Sequence, residues 1–324
     1  MRKLILLGTC LLALIAANCQ QPMEEQLELK ISTVTRLDSL PSGSGLALVR
    51  DSLYIISDNA PAYYKLHPAT KGYTRVPISG YPAEEYTIAK KDKHDLESAV
   101  CGHWNGRDYL FAFGSGSTSR REMLLAIDLG DTHPPQKIPL LHLYMQISSR
   151  CRLKEKELNI EGAALCHDRL FLFVRGKNIA VSMAWADFCR FALQPVGGFI
   201  PEMSIQQVNL PTYGITGAGF SGATEITYRG KPAILFSASL EDTPNAIDDG
   251  AVHGSYLGIL SYNTNGVLGL EQISMVRDSA GVVLKQKIES VAVTGTTGNR
   301  VNLLMIADND DGASVLIEGS IRIP

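Results

Sequence analysis

Four glutamates, Glu97, Glu161, Glu225 and Glu289, stand 64 residues apart, and each opens a short apolar run. If the segments fold alike, the four carboxylates converge with Ser44, which takes the same place in a fifth, upstream copy. Like charges crowded into one space raise one another's pKa values and call for a neutralising partner. A hard cation with oxygen ligands is one answer. Ca2+ suits carboxylates, a hydroxyl and water better than Mg2+, which demands near-ideal octahedral geometry. No His or Cys holds the repeated position, which argues against zinc or copper. The other answer is a clip, in which each glutamate accepts hydrogen bonds from backbone N–H groups of the neighbouring repeat. The metal reading takes Glu97, Glu161, Glu225, Glu289 and Ser44 as ligands.

A second set follows at the end of the next strand. Asp58, Arg175 and Ser239 lie fourteen residues beyond Ser44, Glu161 and Glu225, with Ser115 and Asp308 as the equivalents in the remaining copies. Cations and carboxylates at one mouth, beside a metal, suit a small anionic substrate or ligand. Arg175 and Asp308 are the strongest candidates, followed by Asp58. His94 and Asp95, just before Glu97, offer acid or base chemistry. Gly219-Phe-Ser221-Gly222-Ala223 lacks the last glycine of a nucleophile elbow, and neither His-Glu-x-x-His nor a phosphate-binding loop occurs. Covalent serine catalysis has no support.

The elements that must position these groups are short strands. Aligning Ser44–Leu53 on Glu161–Leu170 without a gap matches Gly45 to Gly162, Ala47 to Ala164, Leu48 to Leu165 and Asp51 to Asp168. Each copy continues through a turn into a second apolar strand, such as Leu110-Phe-Ala-Phe or Leu170-Phe-Leu-Phe. Repeats of this length built of strands and turns predict an all-β, five-bladed β-propeller. The last copy runs out at residues 314–324 and lacks an outer strand, while a segment around residues 27–35 is left over. Pairing the two closes the ring with an N-terminal strand in the last blade and leaves no open edge. No sustained helical period appears beyond the N-terminus, so the domain reads as strand and loop. Two long loops, residues 243–255 with Asp248, Asp249 and His253, and residues 142–156, are candidates for function.

With 45% hydrophobic and 19% charged residues the chain can build a sizeable core. A net charge of −3 supplies no basic field for a nucleic acid polymer. Arg2 and Lys3, the apolar residues 4–17 and Cys19 resemble a bacterial lipoprotein signal, which implies cleavage before a lipidated Cys19. The chain then divides into a signal peptide (1–18), a polar tether (19–29) and the propeller (30–324). It is expected to be a monomer, lipid-anchored in the cell envelope at the outer membrane, periplasmic or surface-facing, touching the membrane through its anchor alone. An oxidising envelope permits up to two disulfides among Cys101, Cys151, Cys166 and Cys189, in any of three connectivities.

His94-Asp-Leu-Glu97-Ser-Ala99, Lys287-Ile-Glu289-Ser290 and Gly219-Phe-Ser221 resemble tunnel segments of the calcium-dependent soluble nucleotidases, or apyrases. Asn159-Ile-Glu161-Gly162-Ala163 is similar to phytase-like and esterase-like propeller proteins of bacteria. The resemblance implies one Ca2+ in the central tunnel, held by glutamates and serines. Glu225 departs from the apyrases, which tend to have a serine there, and the likeness does not reach the substrate loops. The resulting expectation is an envelope lipoprotein with a tunnel Ca2+ that hydrolyses phosphate esters or anhydrides. The alternative is a non-catalytic propeller that binds a ligand or partner around a structural Ca2+.

Overall fold

The structure is a computed structural model, and it describes residues 27–67, 70, 72–80, 84–130, 133–195, 197–214, 216–242, 250–263 and 267–323. The expected signal, Cys19 and most of the tether lie outside these residues, as do Asp248 and Asp249.

Five four-stranded antiparallel sheets follow one another along the chain. Blade 1 comprises Gly43–Val49, Ser52–Ser57, Ala62–Leu66 and Tyr73–Pro77. Blade 2 comprises Leu96–Trp104, Arg107–Gly114, Met123–Asp128 and Gln136–Pro139. Blade 3 comprises Ile160–Cys166, Arg169–Val174, Ile179–Ala184 and Met203–Gln207. Blade 4 comprises Gly219–Tyr228, Lys231–Glu241, Val252–Tyr262 and Leu268–Met275. Blade 5 takes Ile288–Thr297, Arg300–Asp308 and Ser314–Arg322 from the C-terminal end, and Glu28–Leu37 from the N-terminal end as its outer strand. That strand runs antiparallel to the third, from the Glu28↔Arg322 pair to Leu37↔Ser314. The ring is closed as the sequence predicts, and the strand begins inside the stretch read as tether.

The first strand of each blade contacts the first strands of its two neighbours, so all five surround a common axis. Five hydrophobic clusters fill the five seams between blades. Ile56 meets Leu110 and Leu125 at the first, Phe173 meets Phe220 and Phe236 at the third, and Leu53 meets Leu304 and Ile306 where blade 5 returns to blade 1. Burying each such side chain contributes about 1.5–3 kcal/mol, so the ring is held by its seams. The hairpins joining first and second strands turn through left-handed residues, Arg50 (φ 52), Asn105 (φ 47), His167 (φ 59) and Arg229 (φ 49), as two-residue turns matched to strand twist require.

Two helices correct the strand-and-loop expectation. Helix α1 (Leu141–Arg150) occupies the segment read as a long loop before blade 3 and buries Leu143, Tyr144 and Ile147. Helix α2 (Trp185–Leu193) buries Trp185, Phe188, Cys189 and Ala192. That spacing of i, i+3, i+4, i+7 is a helical period, masked in the sequence by its brevity. Both helices pack into the seam between blades 2 and 3. The four cysteines of the domain are free thiols.

Every first strand carries a register shift near its start, at Gly43/Gly45, Leu96/Ser98, Ile160/Gly162, Phe220/Gly222 and Ile288/Ser290. The extra residue is Ser44, Glu97, Glu161, Ser221 or Glu289. A bulge bends its strand and re-aims the extra side chain. The strands are close-packed at this level: a Cβ on Gly222 would stand 2.6 Å from Ser290 Cα.

Candidate functional site

The bulges define the site. Ser44, Glu97, Glu161 and Glu289 line one polar cavity of about 220 Å³ at the tunnel mouth, together with Ser42, Asp58, Asn59, Lys93, Asp95, Arg121, Asn159, Lys287 and Asp308. Three of the four repeated glutamates are therefore brought together. Glu225 is not. Ser221 occupies the fourth bulge, and Glu225 lies four residues farther along the same strand, exposed, where it accepts a hydrogen bond from the His167 backbone N–H of blade 3 at 3.1 Å. The clip reading describes Glu225, and a ring of four glutamates does not form.

The two bulge serines are also clips. Ser44 Oγ donates to the Leu96 carbonyl of blade 2 at 2.5 Å, and Ser221 Oγ donates to the Ile288 carbonyl of blade 5 at 2.5 Å. Each reaches the residue just before the next blade's bulge. Ser44 still lines the cavity, but its hydroxyl proton is committed to the seam.

The expectation that acidic groups need an external counter-ion is only partly right, because the chain supplies cations of its own. Arg175 pairs with Glu161 at 2.6 Å and with Glu241 at 2.8 Å. Lys287 lies 3.2 Å from Glu289 and 3.5 Å from Glu241. Lys93 pairs with Asp58 and, at 2.7 Å, with Asp95, which Arg121 also holds at 2.7 Å. Eight carboxyl groups, Asp58, Asp95, Glu97, Glu161, Glu241, Glu289, Asp308 and Asp310, thus crowd against Arg175, Lys287, Lys93 and Arg121, with Lys90 also on the cavity wall.

On one side of the mouth the pairing is incomplete. Asp58, Asp95 and Glu97 each present a carboxylate oxygen, all within 4.8 Å of one another. Asp58 Oδ1 is buried and accepts no hydrogen bond from the described residues. Burial, then the neighbouring Asp95 and Asp58 charges, push Glu97 well above the usual carboxylate range, and Lys93 offsets this only in part. Burial also raises Asp58 against the pull of Lys93. Burial would raise Asp95 too, but Lys93 and Arg121 outweigh it and hold that carboxyl below its ordinary value. Across the cavity, burial pushes Glu289 up to about 8 and Asp308 up to about 6. The donor set is all oxygen and rich in charge, which suits a hard cation.

Asp95 is held deliberately. Its backbone sits in the left-handed region (φ 54), and its Oδ2 accepts from Ser115 Oγ at 2.6 Å as well as from Arg121. Arg121 is fixed in turn by Ser117 at 2.9 Å.

Among the residues expected to act on a substrate, Asp58 and Asp308 line the cavity, while Arg175 lies beside it on Glu161 with its charge already engaged. His94 is not on the cavity wall; its Nδ1 faces the Arg120 carbonyl at 3.4 Å, and burial lowers its pKa. His253 pairs with Asp242 at 2.7 Å, away from the cavity. Lys93 and Lys287 were missed. Lys287 stands two residues before a bulge, the place held by Ser42, Asp95, Asn159 and Gly219 in the other blades, so aligning the bulges would have found it.

A family model described as "Family of unknown function (DUF6929)" matches residues 39–321. No curated protein matches the sequence. Among solved structures, the allergen Mala s 1 of Malassezia sympodialis is similar with 10% identity and a TM-score of 0.50, over 89% of this chain and 96% of its own. Glutaminyl cyclase of Myxococcus xanthus is similar with 11% identity and a TM-score of 0.43, over 91% and 98%. The calcium-binding protein regucalcin of Agrobacterium tumefaciens follows with 11% identity and a TM-score of 0.41, over 91% and 96%. Such likeness concerns the fold alone, and the resemblance to apyrases finds no support in it.

Proposed function

This chain belongs to the family of unknown function DUF6929, and we propose that it is a cell-envelope β-propeller that binds Ca2+ and a small anionic ligand at its tunnel mouth. The observation that carries the reading is the convergence of Asp58, Asp95 and Glu97 within 4.8 Å. The orphaned Asp58 Oδ1 beside them fits a ligand oxygen better than a satisfied salt bridge. Asp58, Asp95 and Glu97 would hold the ion, with Lys93 released from the two aspartates. When bound, Ca2+ supplies positive charge that draws phosphate or carboxylate oxygens to the mouth. The basic side chains that could draw an anion, Arg175, Lys287, Lys93 and Arg121, are already paired with carboxyl groups, so the ion supplies the charge that is missing. The lipid anchor on Cys19 belongs to this reading and rests on the sequence of residues 2–19.

Hydrolysis of phosphate esters or anhydrides is the second reading, and Asp308 favours it. Burial raises that carboxyl to about 6 on the cavity wall, outside the three ion ligands, where it can exchange a proton with a leaving group near neutral pH. Binding remains the better supported because Arg175 and Lys287 are committed to Glu161, Glu241 and Glu289.

The deciding experiment is elemental analysis of the purified chain with thermal melts in Ca2+ and in chelator. A ligand that binds only the folded state raises stability, so Ca2+ at a hundredfold excess over Kd should raise Tm by several degrees, on the order of 5 °C. An unchanged melt would remove the ion. Phosphate release from a nucleotide panel, with and without chelator, then separates the two readings.

A further inference from the structure

The four basic side chains around the mouth are not held alike. Arg175 follows directly on the second strand of blade 3 and is met by two carboxylates, Glu161 and Glu241. Arg121 is clamped by Asp95 and by Ser117. Lys287 stands directly before the first strand of blade 5, with its backbone N–H bonded to Asn309 Oδ1 at 3.1 Å, and faces Glu241 and Glu289. Lys93 differs. It belongs to the connection between blades 1 and 2, where residues 84–87 and 89–91 are exposed, and its own backbone N–H bonds back to the Ala89 carbonyl of that segment at 3.1 Å. Its side chain turns inward, 11% exposed, and sets the ammonium between Asp58 and Asp95.

We propose that Lys93 is an exchangeable counter-ion, a tethered cation that keeps the place of the divalent ion in the free protein and swings out of the carboxylate cage when that ion binds. The exchange rests on the Ca2+ reading of the same site and says how that site is controlled. The ammonium bonds to Asp58 Oδ2 and to Asp95 Oδ1, two of the three groups that converge within 4.8 Å. It thus stands where an ion bridging those groups has to stand, yet it leaves Asp58 Oδ1 unmet by the described residues. Ca2+, which takes roughly six to eight oxygen ligands and accepts both oxygens of a carboxylate, completes the set that the lysine leaves incomplete. The two cations cannot share the cage, because they repel at contact distance and burial weakens the screening. Of the two, the lysine is free to leave: a flexible stem on an exposed segment reorients without disturbing a strand. Arg121 stays behind, since it holds Asp95 through Oδ2 while Lys93 holds Oδ1. A tethered competitor acts at high local concentration and lowers the affinity for the ion, so the site fills and empties with the surrounding Ca2+ instead of holding it permanently.

The full chain is titrated with Ca2+ by isothermal calorimetry as wild type, Lys93→Met and Lys93→Arg. Deleting the competing charge in Lys93→Met should tighten Ca2+ binding about tenfold or more, whereas Lys93→Arg, which keeps a cation, should bind no tighter than wild type. Release itself is read on the wild type by acetylation of its lysines with an N-hydroxysuccinimide ester and mass spectrometry. Lys93 should be protected in EDTA and modified several-fold faster in saturating Ca2+, while Lys287 stays protected in both. Tighter binding absent from Lys93→Met, or Lys93 still protected in Ca2+-saturated wild type, overturns the exchange and leaves the ion reading standing. If Ca2+ binds none of the three proteins, the ion reading falls and the exchange falls with it. Binding to Lys93→Met alone would make Lys93 a permanent occupant, which also overturns the exchange. Circular dichroism reports whether Lys93→Met keeps the fold; should it not, the acetylation pattern of the wild type decides.

Discussion

Arg175 and Glu161 are joined at 2.6 Å beside the tunnel mouth, with each side chain only 11% exposed. The pair belongs to a chain that continues through Glu241 to Lys287 and Glu289. Removing one member of a buried pair leaves the other charge without compensation, at a cost of about 3–5 kcal/mol. Arg175→Met is therefore expected to lower the urea-unfolding free energy by that order. Adding Glu241→Gln should restore part of it, because one of the stranded carboxylates is then gone. Additive losses in the double variant would count against the network.

The serine clips make a smaller, cleaner prediction. Ser44 Oγ and Ser221 Oγ each satisfy a backbone carbonyl across a seam. Replacing either by Ala leaves that buried carbonyl short of a donor and should cost about 1–3 kcal/mol in urea unfolding. Glu225→Gln, at an exposed backbone contact, should change stability by less than about 0.5 kcal/mol.

Blade count, ring closure and three of the four tunnel glutamates were legible because an apolar repeat with two core strands per copy admits few other folds. Glu225 shows where regular spacing misled. The bulges at Ser44, Glu97, Glu161, Ser221 and Glu289 are 53, 64, 60 and 68 residues apart, so the even 64-residue step to Glu225 was a coincidence of loop lengths. The local pattern was the better guide. A carboxyl or hydroxyl residue followed by Gly or Ser and then a small apolar residue fits Glu161-Gly-Ala and Ser221-Gly-Ala, but not Glu225-Ile-Thr. Lys93 escaped because it reaches the mouth from a connecting segment, where no repeat constrains the side chain. The neutralisation of Glu161 by Arg175 depends on a contact that only the closed ring creates.

The pH dependence of stability carries a definite sign. Glu289 faces Lys287, Arg175, Glu161 and Asp308, and burial raises it from 4.5 to about 8. A carboxyl with a folded pKa above its unfolded one binds its proton more tightly in the folded state. Its contribution is fully present below about pH 4.5 and is lost as pH rises toward about 8. In chelator, the stability difference between wild type and Glu289→Gln should therefore change steadily between pH 5 and pH 8, with wild type losing ground as pH rises. A difference that stays flat over that range would show that Glu289 is ionised throughout.

Single-carboxylate variants separate a three-ligand ion site from a four-glutamate ring. Asp58→Asn and Glu97→Gln should abolish the Ca2+-induced rise in Tm. Glu225→Gln should leave it intact, since that side chain is an exposed clip to His167. Glu289→Gln should also retain it, because Lys287 already holds that carboxylate at 3.2 Å. If Glu289→Gln removed the response while Asp58→Asn kept it, the ion would belong on the opposite side of the mouth.

The closing strand fixes which way the mouth faces if the chain is lipid-anchored. First strands run from the mouth to the hairpin face, second strands return, third strands run away again, and Glu28–Leu37 pairs antiparallel with the third strand of blade 5. Glu28 therefore lies at the hairpin face, near Arg322, and Leu37 near the mouth. A lipid on Cys19 would be only nine residues from Glu28, a reach of at most about 30 Å even when extended, so the hairpin face should lie toward the membrane and the mouth toward solvent. Attaching a fluorophore through Arg229→Cys on the hairpin face and, separately, through Val282→Cys on the segment leading into blade 5 would test this on the lipidated chain bound to vesicles. Nitroxide-labelled lipid should quench the first and spare the second. The reverse pattern would place the mouth against the bilayer, where a ligand in the surrounding solution could not reach Asp58 and Glu97.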